Sequence, residues 1–185
     1  MIIGLVGTIS SGKDTVAGIL SKRLNYPIFS FSDILAEELK KRKLELTRKN
    51  FQDIGDELRK KYGSHILSKM ILERSPGDNI IMNGFRNPEE INYIKKLKGK
   101  KFILIAIDAP PKLRFERMLK RGRTADLKTF DEFLKREKRD MGEKKLEYGQ
   151  NVKKCMEMKD YLIINDGSLQ ELEKKIDDLL KKLNF

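Results

Sequence analysis

Gly7-Thr8-Ile9-Ser10-Ser11-Gly12-Lys13-Asp14-Thr15 is the stretch whose reading decides the fold of this chain. Met1-Ile2-Ile3-Gly4-Leu5-Val6 precedes it, an apolar run of the length of a short buried strand. Val16, Ile19, Leu20 and Leu24 follow it at the spacing of one helix face. Strand, glycine-bounded loop, lysine and helix thus come in close succession.

That succession is the arrangement of a phosphate-binding P-loop. A polyphosphate needs several donors converging on it with no side chain in the way. A loop bounded by Gly7 and Gly12, with Thr8, Ile9, Ser10 and Ser11 between them, can turn its backbone N–H groups inward as an anion nest. The following helix adds its free N-terminal N–H groups and the positive end of its dipole. Lys13 then reaches the β- and γ-phosphates as a mobile point charge.

One position departs from the usual motif. Ser or Thr normally follows the lysine and binds Mg²⁺ through its hydroxyl. Here Asp14 stands there and Thr15 comes next. A carboxylate is also a hard-oxygen ligand for Mg²⁺, so Asp14 and Thr15 are the expected metal positions, with Thr15 free to bond the α-phosphate. The Gly-Lys-Asp-Thr variant resembles the P-loops of deoxynucleoside monophosphate kinases more than those of GTPases or AAA-type motors.

The 185 residues are the size of one domain, so 1–185 is read as a single unit. With 39% hydrophobic residues the chain can build a core. A net charge of +12 suits a polyanion, either a nucleotide or a nucleic acid. The lysines are spread along nearly every predicted helix, and the densest run, 40–43, has no interleaved aromatics, so the nucleotide is favoured. Cys155 is the only cysteine and His65 the only histidine, which excludes an internal disulfide and a cysteine-based zinc site. No signal peptide and no membrane-spanning apolar run are read, and a cytoplasmic location is expected.

Further strands are expected at Pro27–Phe31, Asn79–Asn83, Phe102–Ile107 and Tyr161–Ile164. Thr47 is expected to cap a helix carrying Phe51, Ile54, Leu58 and Tyr62, with Gly63 closing it and Ser64 capping the next. Capping boxes are read at Thr129/Glu132 and Ser168/Glu171. Five short apolar strands alternating with helices predict an α/β fold: a five-stranded parallel sheet flanked by helices, of P-loop NTPase type. An acceptor-binding lobe is expected at about 33–72 and a lid at about 121–150.

Ligands of an open α/β sheet bind beyond the C-terminal ends of its strands. The candidate polar residues all fall there: the P-loop, Asp33, Asn83-Gly84-Phe85-Arg86, Asp108 with Arg117, Arg121 and Arg123 one helix on, and Asn165-Asp166-Gly167-Ser168. In this order the set resembles small-molecule kinases of the P-loop class, above all nucleoside monophosphate kinases such as adenylate kinase, and also dephospho-CoA kinase. The resemblance spans nearly the whole chain, and only the P-loop is highly specific.

It implies ATP as donor, Mg²⁺ as cofactor and a small phosphate acceptor. By resemblance Arg86 holds the acceptor phosphate, Asp33 takes a hydroxyl proton or anchors water on the metal, and Arg117 with Arg121 stabilises the transferring group where the lid begins. Asn165 and Gly167 match the loop on which adenine rests. Asn83 stands where an acid is expected, and Asp14 and Asp33 would make up the missing charge. Arg48, Gln52 and Arg59 are candidate acceptor contacts, and Arg123, Arg136 and Arg139 candidate lid contacts. The expected activity is phosphoryl transfer to a nucleoside or deoxynucleoside monophosphate. Dephospho-CoA kinase is the nearest alternative, and an adenylate-kinase-like ATPase acting on RNA or ribonucleoprotein is the alternative of another class.

Overall fold

Five parallel strands run in the order β2-β3-β1-β4-β5. They are β1 (Ile2–Gly7), β2 (Ile28–Ser30), β3 (Ile80–Asn83), β4 (Phe102–Asp108) and β5 (Tyr161–Ile164). The structure, a computed structural model, describes residues 1–122, 127–142 and 148–185, without the side chain of Arg48.

β1 lies at the centre, pairing Ile2 with Ile80 and Leu5 with Asn83 on one side, and Ile2 with Phe102 and Gly7 with Ile107 on the other. Alternate side chains of these strands feed two cores. Ile2, Val6, Met82, Leu104 and Ala106 pack on one face with residues of α2 (Phe31–Lys41), α3 (Arg48–Tyr62), α4 (Ile66–Arg74), α5 (Pro88–Lys98) and α8 (Val152–Glu157). Ile3, Leu5, Ile81, Ile105, Ile107 and Ile163 pack on the other with α1 (Lys13–Leu24) and α9 (Leu169–Lys182). Burial on both faces explains why these strands read as unbroken apolar runs. After β3 fills the place between β1 and β2, the chain crosses to the far side of β1 for β4, and a crevice opens at that reversal.

Local signals set most boundaries. Thr47 Oγ1 accepts from Asn50 N, and Gly63 closes α3 at φ +94°. Both predicted capping boxes form, at the start of α7 (Phe130–Asp140) and of α9. α6 (Pro111–Arg121) starts on its proline.

Three expectations change. β2 stops at Ser30, whose hydroxyl caps α2 by accepting from Ser32 N at 3.2 Å, so Phe31 opens the helix rather than ending the strand. α4 begins at Ile66 with His65 before it, not at a Ser64 cap, and the His65 ring stacks on Tyr93 at 4.7 Å. The six-residue α8 was not predicted, because it is too short to show a helical period and only Val152 and Cys155 of it are buried. Burial pushes the Cys155 thiol well above its usual range. Among the described residues, no helix is long and apolar enough to cross a membrane.

Candidate functional site

The P-loop joins β1 to α1, and its outer side is fastened to the neighbouring strand ends. Thr8 Oγ1 donates to Asp108 Oδ1 at 2.7 Å, tying the loop to β4. Asn165 Nδ2, just beyond β5, donates to Ser11 O at 2.8 Å. Arg114 of α6 donates to Ile9 O at 3.3 Å. Gly12 has φ +90°, and a Cβ there would lie 2.2 Å from Asn165 Nδ2. Only glycine meets both conditions. Among the described residues, the hydroxyls of Ser10 and Ser11 are buried without a hydrogen-bond partner. Such groups are costly to leave unsatisfied, and the first N–H groups of a helix have no acceptor within it. Donors gathered in this way fit the phosphates of a nucleotide.

Lys13 points from α1 towards the end of β3. Its Nζ donates to Asn83 Oδ1 at 2.7 Å and to Asp14 Oδ1 at 2.8 Å, and Asn83 Nδ2 donates to Asp14 Oδ1 at 2.9 Å. Burial lowers the Lys13 pKa, Asp14 opposes this, and the charge of Arg86 adds to it. The two side-chain oxygens already hold one cation, the ammonium. They are hard donors of the kind Mg²⁺ accepts, alongside phosphate and water.

A cavity of about 740 Å³ extends from this loop to the segment carrying α2 and α3, within the usual size for ligand sites. Thr15, Arg86, Arg117, Arg121 and Arg136 line it, with Gln52 and Phe51 from α3. Arg86 donates to Gln150 Oε1 at 2.9 Å and lies 3.7 Å from Asp140 Oδ2. Arg117 donates to Asn165 O at 2.8 Å, so α6 and the β5 loop flank the P-loop together. Arg139 donates to Gln52 Oε1 at 3.1 Å, bridging α7 to α3.

Not every candidate comes to this cleft in the expected way. Asp33 is exposed in the first turn of α2 and does not line the cavity, because the helix begins at Phe31 and carries Asp33 past the strand end. Gly167 is exposed and also outside the lining, whereas Asn165 beside it is buried against the loop. Arg59 borders the cavity, but its buried guanidinium is bound to Glu90 at 3.0 Å. Arg123 and the Arg48 side chain lie outside the described residues, as do residues 123–126 and 143–147 of the expected lid.

Sequence reasoning overlooked Arg114, Glu90, Asp140 and Gln150. Arg114 is 3% exposed, donates to Ala109 O at 2.7 Å, pairs with Glu137 at 2.5 Å and sits over the Phe133 ring. Nothing in its neighbours marks it out from Arg117. Glu90 could have been found, since Asn87-Pro88-Glu89-Glu90 spells a capping box, which forms.

Residues 3–142 match the family model described as an AAA domain. A UPF0200 protein of Thermococcus gammatolerans is 35% identical over 191 residues, covering 99% of this chain and 95% of the relative. Another, of Pyrococcus horikoshii, is 32% identical over 189 residues, covering 99% and 97%. Among solved structures, shikimate kinase from Bacteroides thetaiotaomicron superposes with a TM-score of 0.64 at 14% identity, covering 100% of this chain and 99% of that one. A gluconokinase from Sinorhizobium meliloti gives 0.56 at 16%, covering 99% and 95%. At such identities these neighbours establish the fold alone, that of P-loop kinases.

Proposed function

The chain belongs to the UPF0200 family, with an AAA domain of P-loop type over residues 3–142, and on that basis we propose that it is an ATP- and Mg²⁺-dependent phosphotransferase whose acceptor is a nucleoside or deoxynucleoside monophosphate. One observation carries the reading. Lys13, at the end of the phosphate loop, and Arg86, beyond the end of β3, line one cavity. Two cationic side chains lining one cleft fit an anion between them. A phosphoryl group in transfer supplies it.

In this reading the P-loop N–H groups and Lys13 hold the β- and γ-phosphates. Arg86 holds the acceptor phosphate, and Arg117 and Arg121 face the charge that spreads over the transferring oxygens. The bond between the γ-phosphorus and the bridging β,γ-oxygen breaks as an acceptor phosphate oxygen bonds to that phosphorus, and ADP leaves. Mg²⁺, held near Asp14, would neutralise charge on the β- and γ-oxygens. An acceptor phosphate is largely ionised at neutral pH, so no strong base is required. The place of Asp33 outside the cavity lining fits such an acceptor better than a hydroxyl, and so favours a monophosphate over dephospho-CoA. The surroundings of a nucleotide kinase are cytoplasmic, and we place the protein there.

The test is an ADP-release screen with ATP, Mg²⁺, nucleoside and deoxynucleoside monophosphates, and dephospho-CoA. Lys13→Ala should abolish turnover in a folded protein. Arg86→Ala should raise the acceptor KM more than the ATP KM. The net charge of +12 keeps a second reading, an ATPase bound to RNA. Absence of transfer to every acceptor, with RNA binding that falls steeply with salt, would replace the kinase reading by that one.

A further inference from the structure

Asp14 and Asn83 are 69 residues apart in the chain, yet their side chains meet at 2.9 Å. Each occupies a position whose usual residue type is different. In P-loop proteins a hydroxyl residue follows the lysine and a strand-end carboxylate shares the metal. Here the carboxylate follows the lysine, and the strand end carries a neutral amide. A single carboxylate remains, moved from one side of the site to the other.

The geometry points to a transposed divalent-cation site: Asp14 supplies the anionic oxygen and Asn83 the neutral one, and Lys13 fills the site until nucleotide arrives. Three observations support this. The Lys13 ammonium bridges Asp14 Oδ1 and Asn83 Oδ1 at 2.8 and 2.7 Å, so one cation already sits between the two oxygens. Asn83 is oriented by its own N–H bond to Asp14, which turns its carbonyl oxygen towards the cation. Asn83 is buried, whereas the Asp14 side chain is 73% exposed on the cleft side. An amide tolerates burial without a countercharge, and a carboxylate at the exposed position keeps its hydration when the site is empty. With the phosphates drawing Lys13 away, the two oxygens become available to a divalent ion that also takes phosphate oxygens and water.

This inference rests on nucleotide binding at the P-loop and not on the identity of the acceptor. Mn²⁺ serves as the probe. Its affinity for the complex with the β,γ-imido analogue of ATP is measured by the loss of the free-ion EPR signal, without turnover. Asp14→Ser and Asp14→Asn should each weaken Mn²⁺ by at least roughly 10–100-fold, the loss that follows even when only a residue orienting a metal ligand is removed. Binding of the metal-free analogue is measured first for each variant, and Mn²⁺ is then titrated against the saturated complex, so that the two affinities are read separately. The double variant Asp14→Ser/Asn83→Asp should recover most of the lost Mn²⁺ affinity, and melting temperatures confirm that each variant is folded.

Unchanged Mn²⁺ affinity in both Asp14 variants would overturn the proposal. So would a double variant no better than Asp14→Ser. A wild-type protein that binds Mn²⁺ with the analogue as expected but phosphorylates no acceptor would refute the kinase reading and leave this site standing. A wild-type protein that binds no nucleotide would refute both.

Discussion

Glu90 has no exposed surface, and one of its oxygens accepts from Arg59 Nε at 3.2 Å and Nη2 at 3.0 Å. The other accepts from the backbone N–H groups of Arg86 and Asn87, each at 3.1 Å. One buried carboxylate therefore joins α3 to the loop that carries Arg86. Arg59, expected from sequence to touch the acceptor, sits where it fixes the residue that would.

Breaking a buried pair leaves a charge without its partner and costs about 3–5 kcal/mol. Arg59→Met and Glu90→Gln should each lower the free energy of unfolding by an amount of that order, read as a fall in the urea midpoint at unchanged m-value. Both should raise the acceptor KM and leave the ATP KM unmoved, and amide exchange at Arg86 and Asn87 should quicken in both. If Arg59 contacts the acceptor directly, Arg59→Met will raise KM and Glu90→Gln will not.

Lys13 titrates below the ordinary lysine value of 10.5, chiefly because it is buried. The protonated form is the one that attracts phosphate. ATP affinity should hold below that lowered pKa and fall as pH rises through it, on the acid side of 10.5. Between the lowered value and 10.5 the unfolded chain binds more protons, so the stability of the ligand-free protein should rise with pH there. Lys13→Arg, which stays protonated, should bind more weakly but with a flatter pH profile. Calorimetric titrations from neutral to alkaline pH decide this.

Arg114 links the P-loop carbonyl of Ile9 to Glu137 and Phe133 of α7. Arg114→Met should destabilise the fold by about 3–5 kcal/mol, because Glu137 loses a buried partner, and should raise the ATP KM as the loop loosens. Arg114→Lys should not rescue it, since one ammonium cannot replace a planar fork of donors. Equal stability of wild type and Arg114→Met by denaturant melting would contradict this.

Gly12 and Gly18 both belong to the start of α1 or its body and give opposite predictions. Gly12→Ala meets a positive φ and a contact of 2.2 Å with Asn165 Nδ2. It should cost more than about 1 kcal/mol and abolish nucleotide binding. A Cβ at Gly18 meets nothing within 4 Å, so Gly18→Ala should be neutral or stabilise by about 0.4–1 kcal/mol. Thermal melting with and without ADP separates the two.

What could be read from the residues was local. The P-loop declares itself because a strand, two glycines, a lysine and a helix are contiguous. The caps at Thr47, Thr129 and Ser168 could be read for the same reason, since each bonds its own first turn. The place of Asp33 in the first turn of α2 could not be read, because the end of β2 turned on one hydroxyl, that of Ser30, competing with an apolar Phe31 that fits strand or helix equally well.

The sequence by itself determined the phosphate loop, the five strands and most of the helices between them. Each of these follows from preferences within a few residues of chain. The tertiary structure alone decided that Arg59 belongs to Glu90, that Arg114 holds the loop to α7, and that Asp14 meets Asn83. Those partners lie 31, 23 and 69 residues apart. Asp14 meets Asn83 because β3 pairs with β1, Arg59 meets Glu90 because α3 and α5 cover the same face of the sheet, and Arg114 meets Glu137 because α7 packs on α6. Which charges then leave water together is a property of that packing, and no local pattern encodes it.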